Sequence, residues 1–144
     1  MTMLLIALPL PAATPPERTI VKDAAALRRL QHNSGITLQW ISFEAGDTRG
    51  HVRVHTKNGL VHLKGEQRDP DKGGLVTLDG DVVQIDARRF TFRGKIEISD
   101  APDKGRHCLR DGDYEFRVTG KRRYWRLQQM EQCDGLTDYV DIYY

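Results

Sequence analysis

The chain has 144 residues, 39% of them hydrophobic and 29% charged, the balance of a soluble globular protein with one domain and room for its own core. Lys and Arg number 22 against 20 Asp and Glu, so the net charge of +2 is too small to mark a nucleic-acid-binding protein, and the acids are spread among the bases. No Cys-x-x-Cys or His-Glu-x-x-His spacing announces a zinc site, and Gly-rich phosphate loops and Gly-x-Ser-x-Gly are absent.

Taken in order, Leu4 to Leu10 is an apolar run followed by Pro11-Ala12-Ala13 and then the polar Thr14-Pro15-Pro16-Glu17. Residues 1–13 therefore read as the apolar core and cleavage end of a secretory signal peptide, although no Lys or Arg precedes Arg18. The run is too short to span a bilayer, which takes about 20 apolar residues. Residues 14–22 form a flexible lead, and residues 23–144 a single domain. Asp23 is a good N-cap for a short helix over 24–32, with Gly35 as its stop. Leu27 and Leu30 with Ala24 or Ala26 give that helix one narrow apolar stripe, as expected of an element that lies across or plugs another.

From Ile36 the hydrophobic period becomes two. Ile36, Leu38 and Trp40 alternate with Thr37 and Gln39, and the mixed Ile41-Ser42-Phe43 suggests a strand bent or buried on both faces. Gly46 to Gly50 reads as a turn. Asn58-Gly59 is a type I′ hairpin signal, and it sets Val54 against Leu63 and Thr56 against Val61 inside. Outside, the same register places His55 opposite His62, Arg53 opposite Lys64, and His51 opposite Glu66. Leu75 to Asp86 and Phe90 to Ile98 are two more strands; a one-residue bulge near Gly80 would bring Val76, Leu78, Val83 and Ile85 to one face. Asp79-Gly80-Asp81 and Asp111-Gly112-Asp113 read as bulge or turn chemistry, and Asp69 to Gly74 as a polar turn rather than a calcium loop.

The stretch from Cys108 to Cys133 reads as a hairpin around Gly120-Lys121, where Gly supplies the positive φ of a type II′ turn. That register pairs Phe116 with Trp125 and Tyr114 with Leu127 on the apolar face, and Arg117 with Tyr124 and Glu115 with Arg126 on the other. It also sets Cys108 opposite Cys133, within disulfide range, which requires an oxidising compartment. Tyr139, Asp141 and Tyr143 alternate with Val140, Ile142 and Tyr144 in a terminal strand over 138–144.

Roughly eight or nine short strands, one helix and no βαβ spacing predict an all-β antiparallel domain, a barrel or a sandwich, with the barrel preferred and the helix at one end or edge. Three chemistries are weighed on it. Outward Tyr124, Tyr139 and Tyr143 beside Arg117, Arg122 and Arg126 suit a ligand face that stacks on sugars or bases while the arginines hold anionic groups. His51, His55 and His62 are candidate metal ligands, opposed by the repulsion of Arg53 and Lys64 on the same face. A hydrolase or lyase in the barrel mouth would need two carboxylates, or a His and a carboxylate, converging in a pocket, and no motif announces either.

Phe90-Thr91-Phe92-Arg93-Gly94-Lys95-Ile96, Cys108, Thr119-Gly120-Lys121-Arg122-Arg123-Tyr124-Trp125-Arg126-Leu127-Gln128, Cys133-Asp134-Gly135 and Asp138-Tyr139-Val140-Asp141-Ile142-Tyr143 resemble a family of small, uncharacterised exported bacterial proteins. The resemblance extends more loosely through Leu38-Gln39-Trp40-Ile41. It implies export and a compact β domain and nothing catalytic. The expectation is thus a periplasmic or secreted, disulfide-stabilised, non-enzymatic binding or interaction module. It has no cofactor, no membrane span and no nucleic-acid partner; its ligand is an unidentified protein or small partner of anionic or saccharide character. The alternatives are the hydrolase or lyase and the histidine metal site.

Overall fold

The computed structural model describes Leu5, residues 18–42 and residues 49–144. The signal-peptide reading of residues 1–13 thus falls, Leu5 apart, outside the described residues, as do residues 14–17 of the lead, Phe43 and most of the 46–50 turn. The described elements are β1 (Ile20–Val21), α1 (Ala24–Gln31), β2 (Gly35–Leu38), β3 (His51–Lys57), β4 (Leu60–Arg68), β5 (Leu75–Ile85), β6 (Arg89–Ser99), β7 (His107–Arg117), β8 (Tyr124–Leu127) and β9 (Val140–Tyr143).

The strands form one sheet in the order β2-β9-β8-β7-β6-β5-β4-β3, antiparallel throughout, with the two residues of β1 added in parallel beside β5. The sheet curls until its two ends meet. The Ile36 amide donates to the Gly50 carbonyl at 3.3 Å and the Gly50 amide returns a bond to Ile36 at 2.9 Å, so β2 reaches the segment entering β3 and the barrel nearly closes. Past that point β3 has ended, and the buried Gln67 side chain of β4 fills the seam by accepting the Leu38 amide at 2.7 Å.

Period-two alternation decides which side chains go inside. In β6, Phe90, Phe92, Ile96 and Ile98 are buried while Arg93 and Lys95 face out. The interior is aromatic: Phe90 and Phe116 stack at 5.0 Å, Trp125 meets Phe90 edge-on at 5.7 Å, and Phe92 meets Phe116 edge-on at 6.1 Å. Asp23 caps α1 by accepting the Ala26 amide at 2.8 Å, and Ala26 and Leu30 bury the helix stripe in the core. Gly35 is the first residue of β2 rather than the helix stop; the helix ends at the His32 cap.

The Asn58-Gly59 hairpin has the expected register at every pair, including His55 with His62 and His51 with Glu66. The bulge of β5 is real but falls at Val83, between Val82 and Gln84, three residues beyond Gly80. Gly80, Gly94 and Gly112 instead lie directly opposite one another in the middle of β5, β6 and β7. They are neither bulge nor turn. A Cβ on Gly80 would fall 2.4 Å from the Arg93 carbonyl oxygen and 2.6 Å from Phe92 Cζ, so a core ring packs against bare backbone there.

The β7–β8 hairpin departs from expectation by two residues. Its turn is where the sequence places it, with Gly120 at φ 60° and the Arg122 amide donating to Thr119 at 3.2 Å. The ladder, however, pairs Phe116 with Leu127 and Arg117 with Arg126. Val118 meanwhile continues the β6–β7 ladder by donating its amide to the Arg88 carbonyl at 2.7 Å, while the Arg123 carbonyl accepts the Tyr144 amide at 3.0 Å. Residues 118–123 therefore form a wide loop, and Glu115 pairs with Arg89 and Arg117 instead of Arg126.

Candidate functional site

The outer wall of β8 and β9 brings together most of the side chains proposed as a ligand face. Register places Tyr124 beside Tyr143 and Arg126 beside Asp141. Arg126 donates from Nε and Nη2 to the two Asp141 oxygens at 2.8 and 2.9 Å, a bidentate fork on a carboxylate only 3% exposed. The same guanidinium lies 4.1 Å from the Tyr139 ring centroid and 5.2 Å from that of Tyr124. Tyr124 and Tyr143 are 5.2 Å apart, Arg122 sits 5.6 Å from Tyr124, and Arg49 lies 3.9 Å over Tyr143. The result is a strip of half-buried tyrosines whose central cation is already neutralised. Arg117 does not join it: although opposite Arg126 in the ladder, its guanidinium turns to Glu115 at 3.1 Å.

The three histidines take separate paths. His62 holds Asp81 on Nδ1 at 2.8 Å and Asp79 on Nε2 at 2.7 Å, so both ring nitrogens are engaged by carboxylates. Partial burial pulls its pKa down, but the hydrogen bonds to Asp81 and Asp79 and their charges outweigh that and raise it. His51 and His55 stand along β3, His55 directly opposite His62 and His51 opposite Glu66. Among the described residues no set of three or more His, Cys, Asp or Glu is arranged to hold a metal ion.

A third cluster carries no sequence motif. Asp138, fully buried, receives Arg106 at 2.9 and 3.0 Å, Arg110 at 3.1 Å and Trp40 Nε1 at 2.9 Å. Arg110, also fully buried, donates further to the carbonyls of Gln129 and Met130 at 3.1 and 3.0 Å. Burial would raise the Asp138 carboxyl, yet the bonds from Arg106 and Trp40, the Arg106 charge and the bond from Arg110 hold it below the usual carboxylate range. With every oxygen committed to a donor, Asp138 is an anchor rather than an acid or base. The disulfide between Cys108 and Cys133, with Cα atoms 5.9 Å apart, ties the same 128–139 segment to β7. One signal for this cluster was legible: Arg110 has the parity of Cys108, Tyr114 and Phe116, which puts an arginine at a core position.

The described geometry thus offers an aromatic strip and a buried ionic anchor. A model of the PM1083 family matches residues 18–144. The chain belongs to the PM1083 family. Uncharacterized protein PM1083 of Pasteurella multocida (strain Pm70) is 47% identical over 109 residues, which cover 74% of this chain and 68% of that protein. No solved structure matches the chain. Membership agrees with the bacterial-family resemblance of the C-terminal motifs. The name of the Pasteurella protein states no activity.

Proposed function

We propose that the protein is an exported, non-enzymatic binding module that recognises its ligand on the outer wall of the barrel. The observation that carries this reading is the filled interior: Phe90, Phe92, Phe116 and Trp125 occupy the space where a ligand-binding barrel would keep its cavity. Recognition then falls to the surface. The Tyr124, Tyr139 and Tyr143 strip is the face suited to it, because flat rings beside a neutralised Arg126–Asp141 pair favour the face of a sugar over a free charge. Export is supported by the Cys108–Cys133 bridge, which persists in an oxidising compartment, and among the described residues no helix is long and apolar enough to cross a membrane.

Two measurements test the reading. Intact mass of protein recovered from its native host should lack residues 1–13 and show two thiols only after reduction; a full-length mass with free thiols sinks export. On a glycan array, binding by the wild type should fall at least tenfold in Tyr139→Ala and Tyr124→Ala. Equal binding by both variants removes the strip from the ligand face.

A further inference from the structure

We propose that the cleft at the helix end of the barrel binds an acidic polysaccharide, a chain of sugars bearing repeated phosphate or sulfate groups. Three elements build it. Arg29 comes from α1, Arg88 from the turn between β5 and β6, and Lys121, Arg122 and Arg123 from the 118–123 loop, around an open volume of about 560 Å³. Asp23 is the one carboxylate side chain among the described lining residues, and it is committed to capping α1.

None of the five cations makes an ion pair among the described residues. The contrast with the next residue is direct, because Arg89 pairs with both Asp86 and Glu115. Their contacts are to neutral groups. Arg88 donates to the Gly120 carbonyl at 3.2 Å, Arg29 and Arg123 lie 5.7 and 5.9 Å from the Tyr144 ring, and Arg122 lies beside Tyr124. The Val118–Arg88 main-chain bond and the Arg88–Gly120 bond lock the two turns together, so the like charges are held near one another at a cost in mutual repulsion.

The occupant follows from that layout. Five charges on three separate elements exceed what one small oxyanion can neutralise, which points to a ligand with repeated anionic groups. Four of the five are guanidinium forks, whose geometry fits the paired oxygens of phosphate and sulfate. A single-stranded nucleic acid would also need free ring faces for its bases, and the Tyr144 ring already has two arginines beside it. Arg122 belongs to both places, so a sugar chain lying on the tyrosine strip would lead its anionic groups into the cleft. The sugar character of the occupant rests on the surface-recognition reading, and the site itself on the unpaired cations. A strip that fails in Tyr139→Ala leaves the cleft standing, and a failed cleft leaves the strip.

The test is titration of the disulfide-bonded protein with a fluorescent heparin decasaccharide at several salt concentrations. The slope of log Kd against log salt should be about 3 to 4, the value for four or five released counterions. Lys121→Gln combined with Arg123→Gln should weaken binding at least tenfold and lower that slope by about 1.5. Arg53→Gln with Lys64→Gln, on the wall of β3 and β4, should leave binding unchanged. Circular dichroism should give the cleft variant the wild-type melting temperature; if it does not fold, Lys121→Gln alone should still weaken binding about threefold. No heparin binding, or equal losses in the two double variants, overturns the site. Inorganic phosphate or an oligothymidylate of equal charge binding as tightly as heparin overturns the assignment to an acidic polysaccharide.

Discussion

The two ends of the barrel use the same charged residues in opposite ways. At one end Asp138, Arg106 and Arg110 are withdrawn from water and satisfied by one another, by Trp40 and by loop carbonyls. At the other end Arg29, Arg88, Lys121, Arg122 and Arg123 are exposed and make no ion pair among the described residues. A buried charge without a partner is so costly that the first set has to be complete within the fold. An exposed cation is stable in water alone, so the second set is free to meet something else. The difference separates side chains that hold the molecule together from those it can spend on a partner: stability should respond to the first end and binding to the second.

The largest loss of stability should come from the disulfide. Replacing Cys108 and Cys133 together with serine frees a loop of 25 residues, and the chain-entropy value for that length is about 3–4 kcal/mol. Urea unfolding of the oxidised wild type against the double variant measures it; coincident midpoints would mean that the bridge adds nothing to the closure of that end.

Asp138→Asn should cost about 3 kcal/mol, because it strands two buried guanidiniums while keeping one acceptor for Trp40. The Asp138 pKa is lowered in the fold, so its contribution is complete above the ordinary value of 3.8 and is lost as pH falls through the lowered one. The gap between wild type and variant should therefore be full at neutral pH and close in acid. Asp138 and Cys133 both fasten the segment between β8 and β9, so the combined variant should lose less than the sum of the two. Strict additivity would show that bridge and ion cluster hold different things.

The same contrast governs what the sequence could tell. The β3–β4 hairpin was legible pair by pair because Asn58-Gly59 fixes turn and register together, both residues having positive φ. Gly120-Lys121 fixed only the turn. The ladder resumes only at Arg117 and Arg126, and no local pattern in the 118–123 stretch reports that. The glycine triplets misled for a related reason: Asp-Gly-Asp is turn chemistry in isolation, and only the pairing of Gly80 with Gly94 and of Gly94 with Gly112 shows it to be mid-strand. Of the proposed face, the tyrosines were readable from alternation in β8 and β9, whereas Asp141 as the partner of Arg126 needs the β8–β9 pairing, which no turn motif between those strands reports. The helix-end cleft joins segments from three parts of the chain: the Arg88-Arg89 and Lys121-Arg122-Arg123 clusters stand out in the sequence, but their convergence with Arg29 does not.

His62 lies between the two extremes and sharpens the comparison most finely. Its side chain is 41% exposed and bridges Asp79 and Asp81, exposed by 56% and 28%, so water screens the pairs that at the disulfide end would be decisive. The hydrogen bonds raise its pKa above 6.5, which means the folded state holds the proton more tightly than the unfolded chain. The stabilisation is complete below 6.5 and lost as pH rises through the raised value. Solvent screening limits it to less than about 1 kcal/mol. His62→Gln should therefore lower stability slightly at pH 6 and hardly at all at pH 9, in parallel urea titrations. A loss that grew with pH would mean that the neutral imidazole is the stabilising form, and that partly exposed carboxylates here behave like the buried one at Asp138.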